Sequence, residues 1–433
     1  MLRASVLFLL PVAVASAEGL HWSQSGFDAS AAGWTKWSPR EEIAPKMFVD
    51  TRYDLGDAGA LAISGSSNAA AYGAWERRFD GIAPGQWFRF QGHYRSEGVS
   101  HRNLRVVARL DWIRADGKRA GQPEYGYRES WAGDWRKVII EAPAPERAVA
   151  VKIQLFLQNE PQGTVWWDQL SLEQVKAPAP RPVKVASVNF RPSRSASSAE
   201  SVAKFIELSE KQVPAGTDVI LLPEGVTIVS TGKKYADVAE SVPGPTTAKL
   251  GELARAKNAW VVAGLYEREG ATLYNTAVLI DRKGQFAGKY RKVYLPREEV
   301  EGGLTPGSEY PVFRTDFGTV GVMICWDLQY ADPARALALR GAELLLVPIW
   351  GGNEVLGKAR VIENRVFLAS SGYDYPTYVM DPDGEVLSQA RQNGTVAYAQ
   401  IDLARRYADE WLGDMRGRFF KELRTDVAAG SGH

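Results

Sequence analysis

The sequence predicts two domains: an N-terminal all-β sandwich, then a C-terminal α/β domain with helices outside its sheet. Three observations carry this expectation. From Leu20 to Val175, short alternating segments are separated by Gly, Pro, Asp and Asn, and no convincing helix appears. Lys176-Ala-Pro-Ala-Pro-Arg-Pro182 is Pro-rich, extended and stiff, as a linker should be. Beyond it, apolar runs alternate with stretches of helical composition. A length of 433 residues leaves room for two domains, and most of the 14 Trp precede the linker, so the two halves differ in character.

Residues 1–17 read as a signal peptide, 18–175 as the β-sandwich and 176–182 as the linker. Residues 183–405 form the α/β domain, and 406–433 a charged and aromatic extension with a Gly/Ser-rich tail. Met1–Ala17 carries one Arg, a short apolar run and Ala15-Ser16-Ala17, which matches a secretory signal with a small-residue cleavage site. The expected location is secreted or periplasmic. No later stretch reaches the roughly 18 apolar residues that a spanning helix needs. The net charge of +1 gives no basic footprint, so nucleic acid is not an expected partner.

In the first domain, Trp87–Tyr94, Leu104–Trp112, Trp135–Glu141 and Val149–Leu157 read as strands, and Asp116-Gly117 as a hairpin turn. In the second, strands are expected at Val183–Phe190, Asp218–Leu222, Ala259–Tyr266, Val320–Ile324, Leu344–Pro348 and Phe367–Ser371. Thr272–Asp281 and Gln285–Tyr290 pair around Arg282-Lys-Gly284, Thr377–Val386 turns at Asp381–Gly384, and Thr395–Ile401 closes the sheet. Helices are expected over Ala199–Gln212, Pro245–Lys257, Ala334–Gly341 and Val355–Val366.

Cys325 is the only cysteine, so no intramolecular disulfide is possible. It ends the buried run Val320–Ile324, where a strand-to-helix turn lifts a side chain out of the sheet. No histidine occurs between Val183 and Asp402, which removes a Cys–His pair and a His-ligated metal from this domain. A thiol is only a few per cent ionised at neutral pH, so a catalytic Cys325 needs a carboxylate or a lysine beside it. Two candidates stand at strand ends: Glu224, one proline beyond the apolar run Val219–Leu222, and Lys292, in the basic run Lys289–Lys292.

These residues carry a resemblance. Leu222-Pro-Glu224, Lys289-Tyr-Arg-Lys292 with Leu295-Pro296, Pro306-Gly307, Ile324-Cys-Trp-Asp327 and Glu363-Asn364 resemble, in that order, the nitrilase-superfamily carbon–nitrogen hydrolases. The resemblance implies a four-layer α-β-β-α sandwich that dimerises, with no metal or organic cofactor. It implies Glu224 as general base, Lys292 as stabilising cation and Cys325 as nucleophile. The Trp326 backbone N–H and Lys292 would stabilise an oxyanion. A second glutamate follows the lysine in many members. Glu298, Glu299 and Glu301 all qualify, and the Gly302 and Pro306-Gly307 context favours Glu301 over Glu299. Trp350 and Tyr294 are expected pocket residues. Asp327, where nitrilases have Glu, favours an amide or carbamoyl substrate over a nitrile.

The first domain resembles the galactose-binding-like β-sandwiches of jelly-roll type found as carbohydrate-binding modules, through Gly33-Trp34, Trp135, Pro143-Ala-Pro145 and Gly163–Leu172. The resemblance implies a glycan as a second partner. Three readings stay open: a hydrolase of non-peptide C–N bonds, an amine acyltransferase using the same thioester, and a glycan-binding protein whose hydrolase domain is unused.

Overall fold

A computed structural model of the chain describes residues 19–56, 59–373, 377–409, 411–424 and 426–427. The expected signal at 1–17 lies outside the described residues. The chain divides into two units, one of them residues up to Ala177 together with those from Ala408 onward, the other Pro178–Tyr407.

The first unit holds a seven-stranded and a five-stranded sheet, both antiparallel. Alternation sends Trp75, Phe79, Trp112, Ile153 and Leu155 of the smaller sheet into one core with Ile63, Phe90, Tyr94, Ile140 and Trp167 of the larger. Much of the tryptophan excess is therefore interior packing. The Asp116-Gly117 turn forms with Gly117 at φ +80°, and Arg114 N–H reaches Lys118 O at 2.8 Å. One short helix, Arg102–Arg105, occupies the start of the run read as a strand, which begins at Val106. The stretch read as an extension carries a helix, Met415–Glu422, whose Phe420 stacks on Tyr127 and whose Lys421 pairs with Glu129 at 2.8 Å. Its charged and aromatic composition thus serves packing within the first unit.

The second unit has two six-stranded sheets. In one, Pro182–Asn189, Val219–Leu221 and Trp260–Glu269 run parallel and the flanking strands antiparallel. In the other, Thr319–Val322, Leu344–Pro348 and Phe367–Ser371 are the parallel core. Both faces of these strands are covered, which explains their continuous apolar runs. Val185, Leu221 and Val262 meet Val322, Ile324 and Leu346 between the sheets. Helices Ser198–Gln212 and Pro245–Lys257 cover the outer face of the first sheet through Val202, Phe205, Leu250 and Leu253. Asp332–Leu339 and Glu354–Asn364 cover the second through Leu337 and Val361. The order of layers is α-β-β-α. Asp332-Pro333, which breaks the strand pattern, starts a helix, since a proline in the first turn lacks only a donor that would be unbonded anyway.

Candidate active site

Three segments bring the chemistry together. Strand Val219–Leu221 leads into Leu222-Pro223-Glu224-Gly225, with Gly225 at φ +64°. The neighbouring strand stays bonded across this turn: Gly264 N–H donates to Pro223 O at 3.0 Å, and Val226 N–H to Gly264 O at 2.8 Å. A side chain at Gly264 would place its Cβ 2.7 Å from Glu224 Cα. Gly264→Ala is therefore expected to cost about 1–3 kcal/mol of stability and to lower turnover by moving the carboxylate. Thermal unfolding and a rate measurement check both.

Lys292 follows the strand Phe286–Arg291. The basic run divides by period two. Lys289 and Arg291 pair with Glu267 at 2.5 and 2.6 Å, whereas Tyr290 and Lys292 turn inward and are buried. Lys292 N–H donates to Asn275 O, and Gly307 N–H to Lys292 O. A Cβ at Gly307 would lie 2.2 Å from Arg291 O, so the Pro306-Gly307 pair is a close-approach site.

The Lys292 ammonium, 1% exposed, donates to Glu224 Oε1 and Glu299 Oε1, each at 2.9 Å. Asn275 Nδ2 donates to the same two oxygens at 2.6 and 2.8 Å. The second oxygens, Glu224 Oε2 and Glu299 Oε2, are buried with no hydrogen-bond partner among the described residues. Tyr373 O–H donates to the Glu224 carbonyl at 2.5 Å. Burial alone would push the ammonium pKa down. The charges of Glu224 and Glu299 outweigh it and hold the group above its ordinary value. Burial raises Glu299 to about 7, with Lys292 opposing and Glu224 reinforcing the rise.

The thiol arrives from the other sheet. After Thr319–Val322 the chain enters a 3-10 helix at Cys325–Gln329, and Cys325 itself sits at φ +43°, which is strained for a residue with a Cβ. Its Sγ lies 3.5 Å from Gly351 O. Burial, then the Glu224 charge, push the thiol up to about 12, with Lys292 opposing. The resting group is a thiol, not a thiolate.

The preference for Glu301 is corrected. Glu301 is 62% exposed and pairs with Arg297 along the helix Arg297–Glu301, whereas Glu299 turns inward to Lys292. On so short a helix a shift of two residues reverses the face, and no flanking motif reports that rotation. Glu301→Gln is expected to leave turnover and stability unchanged, within about 0.5 kcal/mol. Glu299→Gln is expected to lower turnover about 100-fold. Because the Glu299 pKa is raised, the folded state keeps a proton that the unfolded chain has already lost. Stability therefore falls as pH rises from the ordinary carboxylate range through about 7. Glu299→Gln should flatten that slope, read by thermal unfolding at about pH 5 and about pH 8.

Of the remaining candidates, Trp326 is partly exposed in the first turn after the thiol. Trp350 is also partly exposed, packs edge-on against Tyr373, and has its ring 3.4 Å from where a Cβ on Gly225 would stand. Tyr294 stacks on Tyr330 at 3.9 Å and donates its hydroxyl to Asp332. Among the described residues no group of three or more His, Cys, Asp and Glu could hold a metal. No described helix is long and apolar enough to cross a membrane.

Residues 184–409 match the family model described as carbon-nitrogen hydrolase, slightly more than half of the chain. The chain belongs to the carbon–nitrogen hydrolase family. It is 28% identical over 261 residues to omega-amidase NIT2 of Homo sapiens, covering 53% of this chain and 91% of that protein. It is 34% identical over 250 residues to a nitrilase of Pyrococcus abyssi, covering 51% and 90%. Among solved structures, the amidase from Nesterenkonia sp. AN1 matches at 22% identity with a TM-score of 0.45, covering 51% of this chain and 93% of that one. This carbon–nitrogen hydrolase thus acts on C–N bonds other than peptide bonds.

Asn275 and Tyr373 join the site through Glu224, and neither lies in a motif that marks it in the sequence. Asn275 was detectable as a polar residue inside the apolar strand Thr272–Ile280. Asp327 also bears on the Cys325 turn. Its carboxylate is fully buried and bonded to Ile324 N–H, Tyr290 O–H and Tyr294 N–H.

Proposed function

We propose that the protein is an exported amidase that works through a Cys325 thioester with Glu224 as general base and Lys292 as the fixed cation. The observation that carries this is the buried ammonium held between Glu224 and Glu299, with the Cys325 turn in the facing sheet. Omega-amidase names among the relatives favour an amide over a nitrile.

Glu224 takes the Cys325 proton as sulfur attacks the amide carbon, and the carbonyl π pair moves to oxygen. The ammonium donates two hydrogens to carboxylates and has a third for the oxyanion, joined by the Trp326 N–H. The C–N bond breaks as Glu224 returns the proton to the leaving amine. Water then attacks the thioester, giving its proton to Glu224, and the departing sulfur recovers that proton. Acid and amine are the products.

The test is intact-protein mass spectrometry during incubation with simple amides, carbamoyl-amino acids and nitriles. A transient acyl adduct with ammonia or amine release supports the reading. No adduct and no release across the panel overturns it, and an adduct discharged only by an added amine indicates acyl transfer.

We assign the first unit to the galactose-binding-like jelly-roll sandwiches on its two antiparallel sheets with one shared core. Trp131, 69% exposed with Arg136 stacked 3.4 Å from its ring centre, favours a sugar-stacking surface there. A glycan-binding assay on Trp131→Ala tests it, with unchanged binding counting against that surface. Export is tested by the N-terminal sequence of the mature protein, and the homodimer by its mass in solution.

A further inference from the structure

Asp327 accepts hydrogen bonds from both halves of the site. Its Oδ2 takes Ile324 N–H at 2.9 Å and Tyr290 O–H at 2.7 Å, and its Oδ1 takes Tyr294 N–H at 2.9 Å. The Tyr290 oxygen in turn accepts Val293 N–H at 3.3 Å. Ile324 adjoins Cys325, while Tyr290, Val293 and Tyr294 bracket Lys292. Tyr290 belongs to the first sheet, and the Cys325 turn grows from the second. One buried carboxylate therefore spans the two layers where nucleophile and ammonium must meet.

Resting on the thioester reading, we propose that Asp327 is a positioning residue that fastens the Cys325 turn to the Lys292 segment and so fixes the separation of thiol and ammonium. Only a carboxylate suits the place, because all three partners are donors. An asparagine would turn its NH₂ toward at least one of them, and an apolar residue would leave three buried donors unbonded. The bonds at Ile324 and Asp327 also set the first turn of the 3-10 helix: Asp327 N–H returns to Ile324 O at 3.0 Å. That closed loop holds Cys325 at its positive φ. The interaction depends on the carboxylate itself, and no substrate contact is required of it.

Two variants test this, Asp327→Asn and Tyr290→Phe. The second keeps the ring packing and the Ile324 and Tyr294 bonds to Asp327, and removes the hydroxyl that Asp327 accepts from and that accepts Val293 N–H. Tyr290→Phe is expected to lower kcat about 10-fold with KM unchanged, and Asp327→Asn about 100-fold, as misplacement of reacting groups does. Alkylation of Cys325 by iodoacetamide, followed by intact mass, should slow in both, because Lys292 is the charge that favours thiolate. This readout needs no substrate, so it reports on the clamp even if the amidase reading fails. Folded Tyr290→Phe with kcat and alkylation both within about twofold of wild type overturns the proposal. A loss of turnover that tracks the loss of folded protein, by thermal unfolding, overturns it as well.

Discussion

Replacing Cys325 by alanine is expected to reduce turnover by at least about 10,000-fold and to leave the fold intact. Alanine keeps the Cβ of this half-buried residue against the two core clusters it borders, and it gives up the sulfur's 3.5 Å approach to Gly351 O. Alanine tolerates the φ of +43° no worse than cysteine does, because both carry a Cβ. Catalysis, by contrast, has no substitute for the thiol. Burial and the Glu224 charge hold it up to about 12, against the pull of Lys292, so at neutral pH it carries its proton. Attack is then coupled to proton transfer onto Glu224, and no preformed thiolate is available to be mimicked by water. Turnover and thermal unfolding are measured together. A variant that unfolds like wild type yet keeps more than about 1% of the rate would remove Cys325 from the mechanism.

Much of the second unit was legible from sequence because its strands are buried on both faces. Continuous runs such as Asp218–Leu222 and Leu344–Pro348 state their burial directly. Glu224 and Cys325 could be singled out because each interrupts such a run at its end. Lys292 was harder, since Lys289 and Arg291 look equally able to serve until strand alternation sends them outward to Glu267. The roles of Glu299 and Asp327 depended on contacts between residues far apart in sequence. Glu299 meets Glu224 through Lys292 and Asn275, and Asp327 meets Tyr290 from the other sheet. A one-turn helix gives no periodicity from which to choose its inner face, so the sequence could not tell that Glu299, and not Glu301, turns to Lys292. In the first unit the pattern announced strands, but which aromatic side chains enter the core, such as Phe90, Tyr94 and Trp112, depended on how those strands pair.

The second large effect is expected at Lys292→Met, a substitution of similar length that removes the charge. Glu224 Oε1 and Glu299 Oε1 would then share Asn275 Nδ2 with no cation between them. Keeping both ionised would cost about 3–5 kcal/mol, the penalty for breaking a buried ion pair from one side. The pair avoids part of that cost by taking up a proton, because like charges raise each other's pKa. The sign follows from this. In the variant, a folded-state carboxylate pKa raised above its unfolded value gives stability that is present at low pH and is lost as pH rises through the raised pKa. In the wild type, the Lys292 pKa is itself raised, so its contribution is present throughout the neutral range and is lost only above the ordinary lysine value. The stability gap between the two proteins should therefore widen from about pH 5 to about pH 8. Turnover should fall by at least about 100-fold at both pH values, since protonating the carboxylates restores the fold but supplies no charge for the oxyanion. Equal stability gaps at the two pH values would show that the buried bridge is held by packing instead of by its charges.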